Sequence, residues 1–294
     1  MPRYRYSRRN FLAAGIAAGA AASAAAQADT PPDLRSIVSR ADLLYDKPAP
    51  RSEEGIPVGN GRMGSLVWTT PEELRFQINR ADVYANNCAT NSFVERHNDY
   101  CGGCGFLDID FGGEVFPESG FPQRLSVYDG VLTMNGKGAT ARVAAWPAND
   151  VMAVNVEGRR EPVTVRLRML RFENKYFGGQ LENFIREHKN VVETRNHTAA
   201  SQLHVRGDRI ALTQEFREGS YCCKSAVAVT AVGQPASARF LDESQATLTA
   251  VPGTILIATA ASFDPNEDVA AAAFRLLDAA AAKGFAVIAG ETAD

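Results

Sequence analysis

The sequence lacks the features of a nucleic-acid binder, a spanning membrane protein or a disulfide-stapled miniprotein. No long run of Lys and Arg occurs, and 31 basic residues against 34 acidic ones give a formal charge of −3. Such a chain has little with which to neutralise a phosphate backbone or an anionic lipid surface, so neither is expected as a partner. Five cysteines in 294 residues are too few for a disulfide-dense scaffold, and an odd number leaves at least one thiol outside any intramolecular pairing. The G-x-S-x-G, H-E-x-x-H and kinase signatures are absent, so no local motif marks an esterase, a zinc peptidase or a phosphotransferase. What remains, at 45% hydrophobic and 22% charged, is an ordinary globular composition with room for one or two domains.

The chain opens with a polar segment carrying Arg3, Arg5, Arg8 and Arg9, then an apolar run of 16 residues from Phe11 to Ala26, then the small-residue site Ala26-Gln27-Ala28. This is the layout of a cleaved signal peptide. The run is mostly Ala and Gly and falls short of the roughly 20 strongly apolar residues of a spanning helix. The stretch Ser7-Arg8-Arg9-Asn10-Phe11-Leu12 resembles the twin-arginine export motif, lacking only the frequent lysine that would fall at Ala13. A general secretory signal with two adjacent arginines is the alternative. Residues 1–28 are therefore expected to be removed, leaving 27 basic residues against 34 acidic ones. The remainder is expected to fold before export, to work in the periplasm or outside the cell, and to keep no membrane contact.

From Val131 to Ser262 the chain shows short β-rich runs broken by Gly, Pro, Asn and Asp, among them 131–134, 141–146, 151–156, 163–170, 210–216, 226–232 and 255–261. In Val163-Thr164-Val165-Arg166-Leu167-Arg168-Met169 the apolar residues alternate strictly, which places them on one strand face. Many short strands without crossover helices between them predict a mainly β, antiparallel sandwich over 29–262. The pattern changes at Asp264-Pro265-Asn266-Glu267-Asp268, a capped start for an alanine-rich helix ending near Gly284. Residues 263–294 are thus expected to form a helical linker. Phe285, Val287 and Ile288 begin a second helical, apolar stretch expected to be too short to pack, so that the chain looks cut short.

Gly59-Asn60-Gly61-Arg62-Met63-Gly64 satisfies G-x-G-x-x-G, and Asp82 stands where a dinucleotide fold would place its ribose-binding acid. The fingerprint requires a helix to start at the glycines. Here Ser65-Leu66-Val67-Trp68-Thr69-Thr70 is β-prone and Pro71 follows at once, so a nucleotide is not expected and no cofactor is assigned.

The same residues, Ile56-Pro57-Val58-Gly59-Asn60-Gly61-Arg62-Met63-Gly64-Ser65-Leu66-Val67 followed by Leu74-Arg75-Phe76-Gln77-Ile78-Asn79-Arg80-Ala81-Asp82, resemble the opening of the N-terminal β-domain of family 95 glycoside hydrolases, the α-L-fucosidase group. Thr254 to Pro265, ahead of the alanine-rich helix, is similar to that domain's last strand and exit. Where the family carries an acid, this chain has Arg80, a departure that sets it nearer an exported bacterial branch of unknown function than the fucosidases. The resemblance implies a β-supersandwich leading to a catalytic (α/α)6 barrel that holds the general acid and base, with carbohydrate as its ligand. No barrel position lies in this chain, so no catalytic residue is carried over. Asn60, Arg62, Asn79 and Asp82 are carried over as candidates for a substrate loop or an interface. The plainer reading of Asn60 and Arg62 is a tight turn with local pairing.

Other groupings stay open between chemistry and structure. Asp108 and Asp110 share one strand face about 7 Å apart, which suits a polysaccharide hydrolase or lyase, a cation site, or a solvated face opposite Leu107, Ile109 and Phe111. His97, Cys101 and Cys104, with Cys222 and Cys223 far along the chain, suit a weak metal site, a disulfide involving Cys101 or Cys104, or buried thiols. No metal is assigned. Trp68, Tyr84, Trp146, Tyr176 and Phe177 suit sugar stacking, as in a stand-alone carbohydrate-binding protein, or packing between sheets. Arg166 and Arg168 share the polar face of their strand and suit either an acidic partner or solvent.

Overall fold

The computed structural model describes residues 33–83, 103–170, 191–194, 197–233 and 236–293. The expected leader, Tyr84, His97, Cys101, Tyr176 and Phe177 lie outside the described residues. The chain divides into residues 1–34 and 35–294, and the fold below is that of the second unit.

Its strands are β1 (Leu43–Tyr45), β2 (Ile56–Gly59), β3 (Met63–Thr69), β4 (Glu73–Arg80), β5 (Gly103–Asp110), β6 (Gln123–Ser126), β7 (Val131–Gly136), β8 (Ala139–Ala145) and β9 (Val151–Glu157). They continue with β10 (Val163–Arg168), β11 (Val191–Thr194), β12 (His197–Arg206), β13 (Arg209–Glu218), β14 (Tyr221–Ala231), β15 (Ser237–Phe240), β16 (Gln245–Ala250) and β17 (Thr254–Ser262). One antiparallel sheet runs β1-β6-β7-β8-β9-β17-β14-β13-β12-β11 and the other β15-β16-β10-β5-β4-β3-β2. The fold is mainly β, as the alternation predicts. In β10, Val163, Val165 and Leu167 are fully buried while Thr164, Arg166 and Arg168 are half-buried.

The main core lies between the two sheets. Leu74, Phe76, Ile78, Leu107 and Ile109 from the smaller sheet belong to the same cluster as Leu132, Val143, Val154, Val229 and Ile257 from the larger. Each such side chain, fully buried, contributes about 1.5–3 kcal/mol, so the alternating strands supply the driving force for stacking the sheets.

A helix, α1 (Val269–Ala293), crosses the other face of the larger sheet. That face is alanine-rich, with Ala226 and Ala228 on β14 and Ala258 and Ala260 on β17, and these small side chains let the helix sit close. Asp268 caps the helix by accepting the Ala271 N–H at 2.9 Å, in keeping with the expected start. That backbone hydrogen bond, set against slight burial and helped by Arg206, holds the Asp268 carboxyl below its ordinary value.

A break falls at Gly284, where the first helix is expected to end, and the expectation that the stretch beyond it is too short to pack is corrected. Gly284 interrupts the helix with φ 75°, a left-handed conformation that glycine adopts without strain. The chain then resumes as helix, and Phe285, Ile288 and Ala289 are buried in the same cluster as Val269, Ala273 and Leu277. The short apolar stretch packs because the sheet beneath it extends past the break. No helix among the described residues is long and apolar enough to cross a membrane.

Candidate functional site

The glycine motif is a turn between antiparallel β2 and β3, with no helix at its end to hold a pyrophosphate. Gly61 has φ 94°, and a Cβ on Gly59 would stand 2.8 Å from the Met63 carbonyl oxygen, so both positions demand glycine. Asn60 ties this turn to a second one. Its Oδ1 accepts the N–H groups of Arg62 at 3.0 Å and Met63 at 2.9 Å. Its Nδ2 donates to the carbonyls of Trp146 at 3.0 Å and Asn149 at 2.9 Å, in the connection from β8 to β9.

Beside the turn, Arg80 ends β4 on the face that looks into the core. Its side chain is 3% exposed and reaches from the smaller sheet to the larger. Nε and Nη2 hold Asp82 through both carboxylate oxygens at 2.8 and 2.7 Å. Nη1 donates to Asp150 Oδ2 at 2.9 Å and to Thr259 Oγ1 at 2.8 Å. Burial opposes the Arg80 charge, but its hydrogen bonds and charge pairing with Asp82 and Asp150 outweigh this and raise its pKa further. Arg62 stands over the same group, its Nη1 3.5 Å from Asp150 Oδ2 and its side chain 63% exposed. The Arg62 carbonyl also accepts the Ala81 N–H at 2.8 Å.

Three of the four carried-over residues therefore meet here: Asn60, Arg62 and Asp82. Asn79 does not join them. It lies on the opposite face of β4 from Arg80, and its Nδ2 donates to the Gln77 carbonyl at 3.2 Å. Arg80, Asp150 and Thr259 complete the group and were not candidates, because they are 70 and 179 positions apart along the chain and no local pattern joins them. The one available signal was the arginine standing where the resembled family has an acid.

The braced turns are also tied to the end of α1. Trp146 Nε1 donates to Glu291 Oε2 at 2.5 Å, and Thr292 Oγ1 donates to the Ala145 carbonyl at 3.1 Å. Lys283 pairs with Glu291 and lies 5.2 Å from the centre of the Trp146 ring. The Lys283 hydrogen bond, then that from Trp146, lowers the Glu291 pKa. One continuous set of contacts thus runs from the glycine turn through residues 145–150 to the helix end.

The solvated-face expectation is corrected for Asp108 by the strand register, while Asp110 stays partly exposed. Asp108 stands opposite Arg75 on β4 and Arg166 on β10 and is 2% exposed. Arg168 Nε and Nη2 grip it at 2.5 and 3.1 Å. Arg166 reaches Glu73 at 3.2 Å and lies 3.7 Å from Asp110. Arg166 and Arg168 are therefore engaged with carboxylates of their own sheet. Asp110 also accepts the Gly112 N–H at 2.7 Å.

Trp68 and Trp146 are buried, which fits packing better than sugar stacking. Cys104, Cys222 and Cys223 are buried. Adjacent in β14, Cys222 and Cys223 point to opposite sides of the strand, with Cys223 in the main core. No group of three or more His, Cys, Asp and Glu that could hold a metal occurs among the described residues.

Fold and site together define an antiparallel two-sheet β-domain, capped on one face by a helix and clasped at one end by a buried arginine. The chain belongs to the family described as "Domain of unknown function (DUF5703)", which matches residues 44–229. A search of curated proteins found no match. Among solved structures, one titled "Putative kojibiose phosphorylase from human microbiome" is similar at 9% identity with a TM-score of 0.46, over 86% of this chain and 37% of its own. This chain thus spans little more than a third of that protein's length.

Proposed function

We propose that the chain is a non-catalytic β-domain of an exported, glycoside-hydrolase-like protein, and that it packs against a catalytic (α/α)6 barrel and shapes that barrel's substrate site. The leader resembling a twin-arginine signal supports export to the periplasm or beyond the cell. The likeness of residues 56–82 to the family 95 β-domain supports the barrel as partner and carbohydrate as the barrel's ligand.

One observation carries the non-catalytic part. The carboxylate pair best placed for acid–base work is engaged by arginines, and Asp108, at 2% exposed, is shut away from any substrate. A glycosidase needs two accessible carboxyl groups facing each other across the scissile bond. The braced glycine turn, in contrast, holds an exposed Arg62 on a rigid support, which suits a loop that positions something else. A stand-alone carbohydrate-binding role is less well supported, since Trp68 and Trp146 offer no exposed aromatic platform.

Assays of the purified chain with aryl glycosides, fucosides included, test this. No turnover is expected. Sustained turnover abolished by Asp108→Asn would overturn the reading in favour of a hydrolase or lyase.

A further inference from the structure

Two Asn-Gly pairs occur in the sequence, Asn60-Gly61 and Asn135-Gly136. Such pairs are chemically labile. Glycine has no Cβ to shield its amide nitrogen, so that nitrogen can attack the side-chain carbonyl carbon of the preceding asparagine. The bond from the glycine nitrogen to Cγ forms, the bond from Cγ to Nδ2 breaks, and ammonia leaves with the proton given up by the glycine nitrogen. The cyclic succinimide then adds one water and opens to aspartate, or to isoaspartate, in which the main chain runs through the former side-chain carbon. Nothing is oxidised or reduced, and water is the only co-reactant.

The two sites are held differently. Asn135 is exposed, and its Oδ1 accepts from Thr140 Oγ1 at 3.3 Å. Asn60 is half-buried, and both ends of its amide are engaged. Oδ1 accepts the N–H groups of Arg62 and Met63. Nδ2, the nitrogen that would leave, donates to the carbonyls of Trp146 and Asn149. Ring closure moves Cγ onto the Gly61 nitrogen and carries Oδ1 and Nδ2 with it, so these four hydrogen bonds must be given up. Gly61 is exposed, and a Cβ on it would meet nothing within 4 Å. The asparagine's own bonds, rather than crowding or lack of water, therefore hold the reaction back.

We infer that Asn60 is a deamidation site gated by the joint between the two turns: protected while the joint is closed, reactive once it opens, and unable to rejoin after reaction. Aspartate at this position keeps the acceptor for Arg62 and Met63. Its second oxygen, however, would face the Trp146 and Asn149 carbonyls, acceptor against acceptor, and neither tie could be remade. Isoaspartate is worse, because it lengthens the main chain of a tight turn. A Cβ on Gly59 would already stand 2.8 Å from the Met63 carbonyl oxygen and 3.1 Å from Gly64 Cα, so the turn has no room for an added methylene. Opening that leads to reaction is thus irreversible, and the damage falls on the turn that carries Arg62.

The test follows deamidation of the 294-residue chain by peptide mapping and mass spectrometry, in mildly alkaline buffer and in the same buffer with denaturing urea. In urea the two sites should react at similar rates. In buffer Asn60 should slow about thirtyfold or more, the effect of four hydrogen bonds at the low end of their net strength, and by a larger factor than Asn135. Equal slowing at the two sites, or none at Asn60, would overturn the gating. The consequence is read on Asn60→Asp, in which hydrogen exchange at residues 146–151 should quicken several-fold and the urea midpoint should fall. A variant as protected and as stable as the parent would overturn the claim that the product cannot rejoin. The parent chain, partly deamidated in urea and then diluted, gives a reading that does not depend on the variant folding. Chains with aspartate or isoaspartate at position 60 should be depleted from the refolded fraction, and their equal recovery would overturn the same claim.

Discussion

Replacing Arg80 by alanine should be among the most damaging single changes in this domain. The side chain is buried, and it joins β4 to Asp150 and Thr259 on the opposite sheet. Without it, the mostly buried Asp150 carboxylate has neither oxygen hydrogen-bonded from the core. Breaking a buried ion pair from one side costs about 3–5 kcal/mol. Asp82 adds little to that figure, because it is 39% exposed and water can take over its hydrogen bonds. A domain of ordinary stability, about 5–15 kcal/mol, would lose roughly a fifth or more of its margin.

Arg80→Lys keeps the charge but cannot hold both aspartates, and the loss should be nearer 1.5–3 kcal/mol, roughly the value of a charge-assisted hydrogen bond. Adding Asp150→Asn to Arg80→Ala removes the stranded charge and should recover part of the loss, so the two changes together cost less than their sum. Urea denaturation of the five proteins, the parent and Asp150→Asn alone included, followed by far-ultraviolet circular dichroism, gives these numbers from the shift in midpoint. A loss below about 1 kcal/mol for Arg80→Ala would refute the reasoning, since it would mean that the cluster is hydrated and does not bind the sheets together.

Burial, and secondarily Arg206, hold the His204 imidazole below its ordinary value of 6.5, with its Nε2 2.9 Å from Thr213 Oγ1. The unfolded chain therefore takes up the proton first, so the contribution of His204 to stability is complete above about pH 6.5 and is lost as the pH falls through its lower folded value. Denaturation midpoints across this range should show the decline, and His204→Gln should flatten that part of the profile. Trp146→Phe removes the donor to Glu291 but keeps most of the apolar contact, so hydrogen exchange should quicken several-fold in residues 285–293 and stay unchanged in β13 and β14; uniform quickening would mean that the helix end is not separately latched.

Much of the architecture is legible in the sequence because burial on one face forces alternation. Val163 to Met169 shows its inner face without any partner in view, and the Asp268 cap marks the start of α1 within a single turn. The helix end is less legible. Gly284 marks the break between two helical stretches, yet whether the second one packs depends on how far the sheet beneath extends, which is a tertiary property. The site divides in the same way. Asn60 and Arg62 stand out because a glycine-rich turn is a local pattern. Asp150 sits in an unremarked connection, and only the strand register brings it under Arg80. Register likewise turns Asp108 from an apparent solvated carboxylate into a buried one, since Arg75 and Arg166 are placed opposite it by pairings 33 and 58 positions away.

Complementation tests the non-catalytic reading most directly. The catalytic barrel is assayed on an oligosaccharide substrate with and without the purified chain, alongside the chain by itself. The barrel alone should be a poor catalyst, the chain alone inactive, and the mixture restored in kcat/KM, with Arg62→Gln weakening the restoration. Equal activity of the barrel with and without the chain would contradict the proposed role, and turnover by the chain alone would replace it with a catalytic one.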